Sequence, residues 1–376
     1  MKKVLFITKS QMFGGVEKVL IDIVNLLDPL KYQITVMTEE QNTEVKKNLP
    51  SHVEYKSIFK KRFRGLDRVL VHFPPFLLHK MFINNFYDIE VSFQEGFPTK
   101  LVAGSNGKTK KISWFHNDPY YYDFNLPYFR EKKNLKKYVN KFDRLVTVSN
   151  VVSNNYKKYI NFDKELKVIY NPIDTALIKK LSKETVTDLE NNESIFRICF
   201  IGRLSEEKQV GMLIDSVVRL HTDYSNIELI IVGDGHQFSD IENKISNSHA
   251  NGFIKLLGYK DNPYPYIYKS SLLICCSKTE SFCLVVAESL LLGTPVLSTK
   301  CGGPEEILEN GKYGMLVDND SESLLKGIEK MLKDKGLYFS YRNKGYTILN
   351  KFDKNIIRKE IEEVLKEEEN EKDCAI

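Results

Sequence analysis

The sequence predicts an α/β protein built from two doubly wound, parallel-sheet domains of similar size. Three observations carry that expectation. The chain has 376 residues, more than one ordinary hydrophobic core accommodates. Short apolar runs alternate with amphipathic helical stretches along most of its length. The charge is also divided: residues 1–180 carry 31 Lys and Arg against 18 Asp and Glu, whereas residues 181–376 carry 24 against 32. A basic half beside an acidic half suits two domains, and the basic one is expected to face something anionic.

Composition narrows the class. A hydrophobic content of 42% and a charged content of 28% describe a soluble globular protein. No run approaches the roughly 18 apolar residues of a membrane span. The opening MKKVLFITKS is too short in apolar residues for a secretory segment and reads as a first strand. The cysteines, Cys199, Cys275, Cys276, Cys283, Cys301 and Cys374, lack CxxC spacing. They read as reduced thiols of a cytosolic protein, with no metal site.

Taken in order, Val4–Thr8 is an apolar strand that runs through Lys9–Phe13 to Gly14-Gly15. A helix follows, with Val16, Val19, Leu20, Ile23, Val24 and Leu27 on one face. Glycines between a strand and a helix suit either a tight turn or an anion held against helix amides. Further strands are expected at Ile34–Thr38, Val53–Ile58, Ile89–Phe93, Lys111–Phe115, Leu145–Ser149 and Lys167–Tyr170. His116 lies just past one of them, at the strand end where open α/β sheets place ligands. The polar segment up to about Ser194 reads as a linker, so the domains are expected at 1–180 and 181–350. A C-terminal helix over 351–376 is expected to pack back on the first domain.

The second half repeats the alternation. Phe196–Ile201 ends at Gly202-Arg203-Leu204, with Lys208 close behind. Ile227–Val232 ends at Gly233-Asp234-Gly235, and Ile254–Leu257 ends at Gly258. Leu272–Ser277 exits through Lys278–Ser281 into a helix, Cys283–Leu292, closed by Gly293, and Thr294–Thr299 is the next strand. Glu280 therefore stands at a strand's carboxyl end. Glu288 is a charge whose neighbours three and four away are Leu284, Val285, Leu291 and Leu292. Such a residue either reaches water at the edge of the face or is paired. Asp318-Asn319-Asp320 has the look of a metal-binding DxD but precedes a helix, and is read as loop and N-cap.

Arg203, Lys208 and the amides of Ser281, Phe282 and Cys283 can hold a diphosphate, with Glu280 beside it for sugar hydroxyls and Leu284 counted among the donor-binding residues. Gly202-Arg203-Leu204…Lys208, Val232-Gly233-Asp234-Gly235, Glu280-x7-Glu288 and Gly293-Thr294-Pro295-Val296, with the early Gly14-Gly15, occur in that order. In this the chain resembles the retaining group-1 glycosyltransferases (glycosyltransferase family 4) of the GT-B fold, two Rossmann-like domains facing a cleft. The resemblance implies that Arg203 and Lys208 bind the donor diphosphate, Glu280 the transferred sugar and Glu288 the ribose. The backbone near Gly258 would meet the base, and His116 would face the sugar. It implies no cofactor and no catalytic metal: the nucleotide-sugar, a UDP-sugar by preference, is a substrate. Ser281 departs from the glycine many relatives carry and would narrow the sugar pocket.

Three other readings compete. A sugar-nucleotide epimerase of the same fold would convert the donor alone. A non-catalytic nucleotide-sugar-binding module would not need the whole charged set. A dinucleotide oxidoreductase would need the GxGxxG that Gly14-Gly15 does not supply. Lys60-Lys61-Arg62, Arg64 and Arg68 stand beside Val69–Val71 and Phe73–Leu78, as a membrane-surface segment would require. Arg130, Lys132, Lys133, Lys136, Lys137, Lys141 and Arg144 form a second basic cluster. No nucleic-acid motif accompanies either. The expectation is a cytoplasmic enzyme, peripheral at the inner membrane face through its first domain, acting on a lipid-linked saccharide.

Overall fold

A computed structural model describes residues 1–9, 14–61, 65–161, 164–190, 192 and 194–366, the side chain of Asp67 excepted. Expectations placed on Arg62, Arg64 and Cys374 fall outside that set, as do residues 10–13 of the first loop and 367–376 of the expected C-terminal helix.

The chain divides into two units. Unit 1 comprises Met1–Pro172 and Lys354–Ile376; unit 2 is Ile173–Asp353. The expected boundary at 180 is thus displaced to 172. Ile173 forms a parallel bridge with Asp353, and the helix Thr175–Leu181 packs within unit 2. The polar stretch read as a linker also belongs to unit 2. Leu189 is buried there, and Asp188 accepts from the Tyr266 hydroxyl and pairs with Lys260. Polar composition here marks a packed surface segment.

Unit 1 holds a parallel sheet of β1 (Lys2–Thr8), β2 (Tyr32–Glu40), β3 (Glu54–Phe59), β4 (Ile89–Ser92), β5 (Lys110–Phe115), β6 (Arg144–Thr147) and β7 (Lys167–Val168). Their order is β3-β2-β1-β4-β5-β6-β7. Val4, Leu5, Phe6 and Ile7 are all fully buried, because helices cover both faces of such a sheet and successive residues of a strand are buried alike. The helix Gly15–Leu26 buries Val19, Leu20, Ile23 and Val24, a three-four spacing that makes one stripe. The last described helix, Lys354–Leu365, buries Ile357, Ile361, Val364 and Leu365 and packs on Gly15–Leu26.

Unit 2 holds β8 (Phe196–Ile201), β9 (Ile227–Val232), β10 (Ile254–Gly258), β11 (Leu272–Cys275), β12 (Val296–Thr299) and β13 (Met315–Val317). The order is β10-β9-β8-β11-β12-β13, all parallel. The expected strand Leu272–Ser277 stops at Cys275, and β13 was not anticipated; three residues at a sheet edge carry too little pattern to read. The helix expected at Cys283–Leu292 spans Leu284–Leu291 with Cys283 as its N-cap.

In each sheet the order reverses beside one strand: β1 between β2 and β4, and β8 between β9 and β11. Chain leaving the carboxyl ends of strands at such a point diverges and opens a crevice. The loops that follow β8 and β11 carry Arg203, Lys208 and Glu280; those that follow β1 and β4 carry Lys9 and Glu95.

Candidate active site

In unit 2 the strand ends meet backbone to backbone. The Gly202 amide donates to the Val232 carbonyl at 3.0 Å, and the Gly233 amide donates to Gly258 at 2.9 Å. A Cβ on Gly233 would lie 1.8 Å from the Gly202 carbonyl oxygen, and one on Gly235 would lie 2.2 Å from that of Leu204. Gly233 also has φ of +148°, so no other residue fits that approach. Gly258, at φ +70°, ends β10 beside them.

Lys208 closes a short 3-10 turn, Glu206–Lys208, and its Nζ donates to Glu280 Oε1 at 2.5 Å. The Ser277 hydroxyl donates to the same oxygen at 2.7 Å. Burial works against the charge on Lys208, but the Glu280 carboxylate more than offsets it, so the ammonium is held above its ordinary range. Burial pushes the Glu280 carboxyl upwards, and Lys208 opposes that shift. Arg203 is exposed and, among the described residues, makes no ion pair.

Glu280 is also fixed through its backbone. Its amide donates to the Cys301 carbonyl and its carbonyl accepts from the Gly303 amide, both at 2.7 Å. Gly302 has φ of +98°, and its amide donates to Glu305 Oε1 at 2.9 Å. A Cβ on Gly303 would strike the Phe282 carbonyl oxygen at 2.5 Å. Ser277, Gly302, Gly303 and Glu305 were not singled out by sequence. Positive φ and close approach explain both glycines, and the Gly-Gly-Pro after a strand was the signal available.

Beyond Glu280, Ser281 is half-buried and Phe282 is buried, its ring edge-on to Phe352 with centroids 5.4 Å apart. Cys283 caps the helix with φ of +75°, and Leu284 is its first residue. Glu288 does not reach water at a helix edge. It is buried, and the Tyr264 hydroxyl donates to its Oε1 at 3.3 Å. The Cys275 and Cys283 sulfurs lie 3.8 Å apart, and the thiols of Cys283 and Cys301 bond to Cys275, favouring its thiolate.

The DxD-like segment is occupied by other bonds. Asp318 pairs with Lys300 at 2.6 Å, the Asn319 side chain donates to the Ser277 carbonyl at 3.0 Å, and Asp320 accepts from the Ser323 amide as a helix cap.

In unit 1, Gly14 precedes the helix Gly15–Leu26, and its amide donates to Glu17 Oε2 at 3.0 Å. His116 is buried against Phe93, with ring centroids 4.6 Å apart. Its Nε2 has no hydrogen-bond partner, and burial lowers its pKa to about 3, so the imidazole is neutral. Glu95 holds that loop: Oε1 accepts from the amides of His116 and Asn117 at 2.7 and 2.8 Å, and Oε2 from the Asn117 side chain at 2.8 Å. Sequence reasoning missed Glu95, although it stands just past a strand as Glu280 does.

Comparisons with known proteins agree with the two-unit architecture. Residues 182–348 match the model "Glycosyl transferases group 1", and residues 13–177 match "Glycosyltransferase Family 4". One relative is the N-acetylgalactosamine-N,N'-diacetylbacillosaminyl-diphospho-undecaprenol 4-alpha-N-acetylgalactosaminyltransferase of Campylobacter jejuni. It is 30% identical over 59% of this chain and 62% of its own length. Another, N-acetyl-alpha-D-glucosaminyl L-malate synthase of Bacillus anthracis, is 27% identical over 55% of this chain and 54% of its own. The chain thus spans somewhat more than half the length of these curated relatives. The crystal structure of Anabaena HepE in complex with UDP-glucose superposes with a TM-score of 0.75 at 22% identity, covering 97% of this chain and 99% of that one. The fold is GT-B, and with one family model on each unit the chain belongs to the group-1 glycosyltransferases.

Proposed function

We propose that this chain transfers a sugar from a nucleotide-sugar donor, a UDP-sugar by preference, to a lipid-linked saccharide acceptor in glycan biosynthesis. The transfer retains anomeric configuration and uses no catalytic metal and no cofactor. The observation that carries the reading is the Lys208–Glu280 ion pair, 2.5 Å long, at the strand-order reversal of unit 2. A cation and a carboxylate there stand beside the amino end of the helix Leu284–Leu291, with Arg203 on the loop from β8.

Each group has a task in that reaction. As the bond from sugar to phosphate breaks, negative charge grows on the diphosphate and positive charge on the sugar ring. Lys208, Arg203 and the helix amides act on the first, as fixed charges that need no rearrangement at the moment of reaction. Glu280 Oε1 is already committed to Lys208 and Ser277, which suits an ionised anchor for sugar hydroxyls better than a nucleophile. The leaving phosphate then takes the acceptor's proton. Buried Glu288 holds the ribose, the backbone at Gly258 meets the base, and the neutral imidazole of His116 bonds a sugar hydroxyl.

For the donor, support comes from HepE crystallised with UDP-glucose. For the acceptor, it comes from the Campylobacter relative, whose name carries diphospho-undecaprenol. No helix among the described residues is long and apolar enough to cross a membrane. A peripheral contact at the cytoplasmic face is instead supported by unit 1. Val69, Phe76 and Met81 are exposed there, and Lys60, Lys61 and Arg68 are exposed in the same stretch of chain. Buried Lys100 ties that stretch down by donating to the Leu70 and Val71 carbonyls at 3.3 and 2.9 Å.

The test is a thermal-shift screen of UDP-, GDP- and dTDP-sugars, followed by turnover of the stabilising donor with a lipid-linked saccharide. NMR of the product reads the anomeric configuration. Stabilisation by UDP and transfer with retention are expected. Conversion of the donor alone into an epimer would overturn the transferase.

A further inference from the structure

Three thiols and a carboxylate converge where the sequence, lacking CxxC spacing, gave no sign of a cluster. Cys275 ends β11, Cys283 caps the helix Leu284–Leu291, and Cys301 follows β12. Sulfur of Cys275, sulfur of Cys283 and a carboxylate oxygen of Glu280 all lie within 4.8 Å of one another. The Cys275–Cys283 separation is 3.8 Å. Two thiolates bound to one zinc ion at about 2.3 Å in a tetrahedron stand about 3.8 Å apart. A disulfide would need the sulfurs at about 2.05 Å, so the two segments would have to move towards each other. The present spacing accepts an ion with little movement.

We propose that Cys275, Cys283 and Glu280 form a binding site for a thiophilic divalent cation, zinc being the type case, and that its occupation blocks the donor site. The inhibitory part rests on the reading of Glu280 as the donor-sugar anchor.

Three arguments converge. The segments are already fixed: Glu280 is clamped between Cys301 and Gly303 through two 2.7 Å backbone bonds. The donor set is soft, two sulfurs with one carboxylate, which selects zinc over magnesium or calcium. The charge also balances, since two bound thiolates neutralise the two positive charges of the ion. Cys301, bonded to Cys275, sets a third thiol beside these ligands. With its carboxylate drawn to the metal, Glu280 no longer orients Lys208 or the sugar.

The test uses the full chain with Cys374→Ser, kept reduced with a phosphine, and titrated with cobalt(II). One equivalent should give thiolate-to-cobalt charge-transfer absorption, displaced by zinc. Cys275→Ser and Cys283→Ser should each weaken binding at least tenfold, whereas Cys199→Ser, on the neighbouring strand β8 opposite Leu273 and outside the ligand set, should not. Absence of the thiolate band in the parent protein would overturn the site, and no folded variant is needed for that outcome. Binding unchanged in both cysteine variants would overturn the ligand assignment. Zinc should abolish transfer at one equivalent; full turnover with the band present would overturn the inhibition. If Glu280→Gln turns over normally, the donor-site reading fails instead, while the cobalt band still reports the metal site.

Discussion

Lys208 donates to the same carboxylate oxygen of Glu280 that takes the Ser277 hydroxyl, so one atom both pairs the charge and sets the direction of the carboxylate. Lys208→Ala or Arg203→Ala should lower the transfer rate by about 10²–10³. Glu280→Gln should reduce turnover and donor-sugar affinity but leave affinity for free UDP unchanged. Glu288→Gln should weaken UDP itself. Steady-state kinetics with UDP titration checks this, and identical UDP affinities in the two Gln variants would show the division of roles to be wrong.

Gly233→Ala places a methyl where the Gly202 carbonyl already stands, so unit 2 must open between β8 and β9. A loss of about 3 kcal/mol or more is expected. Gly252→Ala meets nothing within 4 Å and should cost no more than about 0.5 kcal/mol. Urea unfolding of both variants reads the difference.

Because burial lowers the His116 pKa to about 3, the unfolded chain, with an ordinary value near 6.5, binds the extra proton first on acidification. This contribution to stability is complete above about pH 6.5 and is lost as pH falls towards 3. His116→Gln should flatten that part of the curve. NMR titration should find the wild-type imidazole unprotonated at pH 5; a midpoint near 6.5 would contradict the geometry.

Chelation should leave turnover intact, since Asp318 is engaged by Lys300 and Asp320 caps a helix. Activity lost in EDTA and restored by manganese would show that this acidic segment had been misread.

Flotation with anionic liposomes should retain the protein at low salt and release it as salt rises, since about 1 kcal/mol per surface cation is screened away. Replacing Lys60, Lys61, Arg62 and Arg64 by Ser should weaken retention. No flotation at low salt would favour a soluble acceptor.

The sequence was most legible where one rule sufficed. A strand end followed by an ionisable residue put His116, Arg203, Lys208 and Glu280 in the loops that leave strands, as the fold has them, because backbone periodicity places a strand end without reference to the rest of the fold. It was least legible where a residue acts through partners distant in sequence. Glu95 works on amides 21 and 22 residues away, and the asparagine between the two aspartates serves the Ser277 carbonyl. The thiol cluster is assembled from the end of β11, the cap of the helix that follows it and the exit of β12, which no spacing rule covers. Glu288 could be marked as anomalous from its apolar neighbours, but only the fold supplied Tyr264.

Unit 1 is closed by the helix Lys354–Leu365, which covers the first helix of the chain. During synthesis, therefore, unit 1 is begun before unit 2 and completed after it. Its first helix, Gly15–Leu26, emerges early but waits for roughly three hundred further residues before Ile357 and Ile361 arrive to cover it. Unit 2, uninterrupted from Ile173 to Asp353, finishes in the meantime. The nascent chain thus carries a finished unit 2 with an unfinished unit 1, and it is unit 1 that needs protection from aggregation until the helix Lys354–Leu365 has been made.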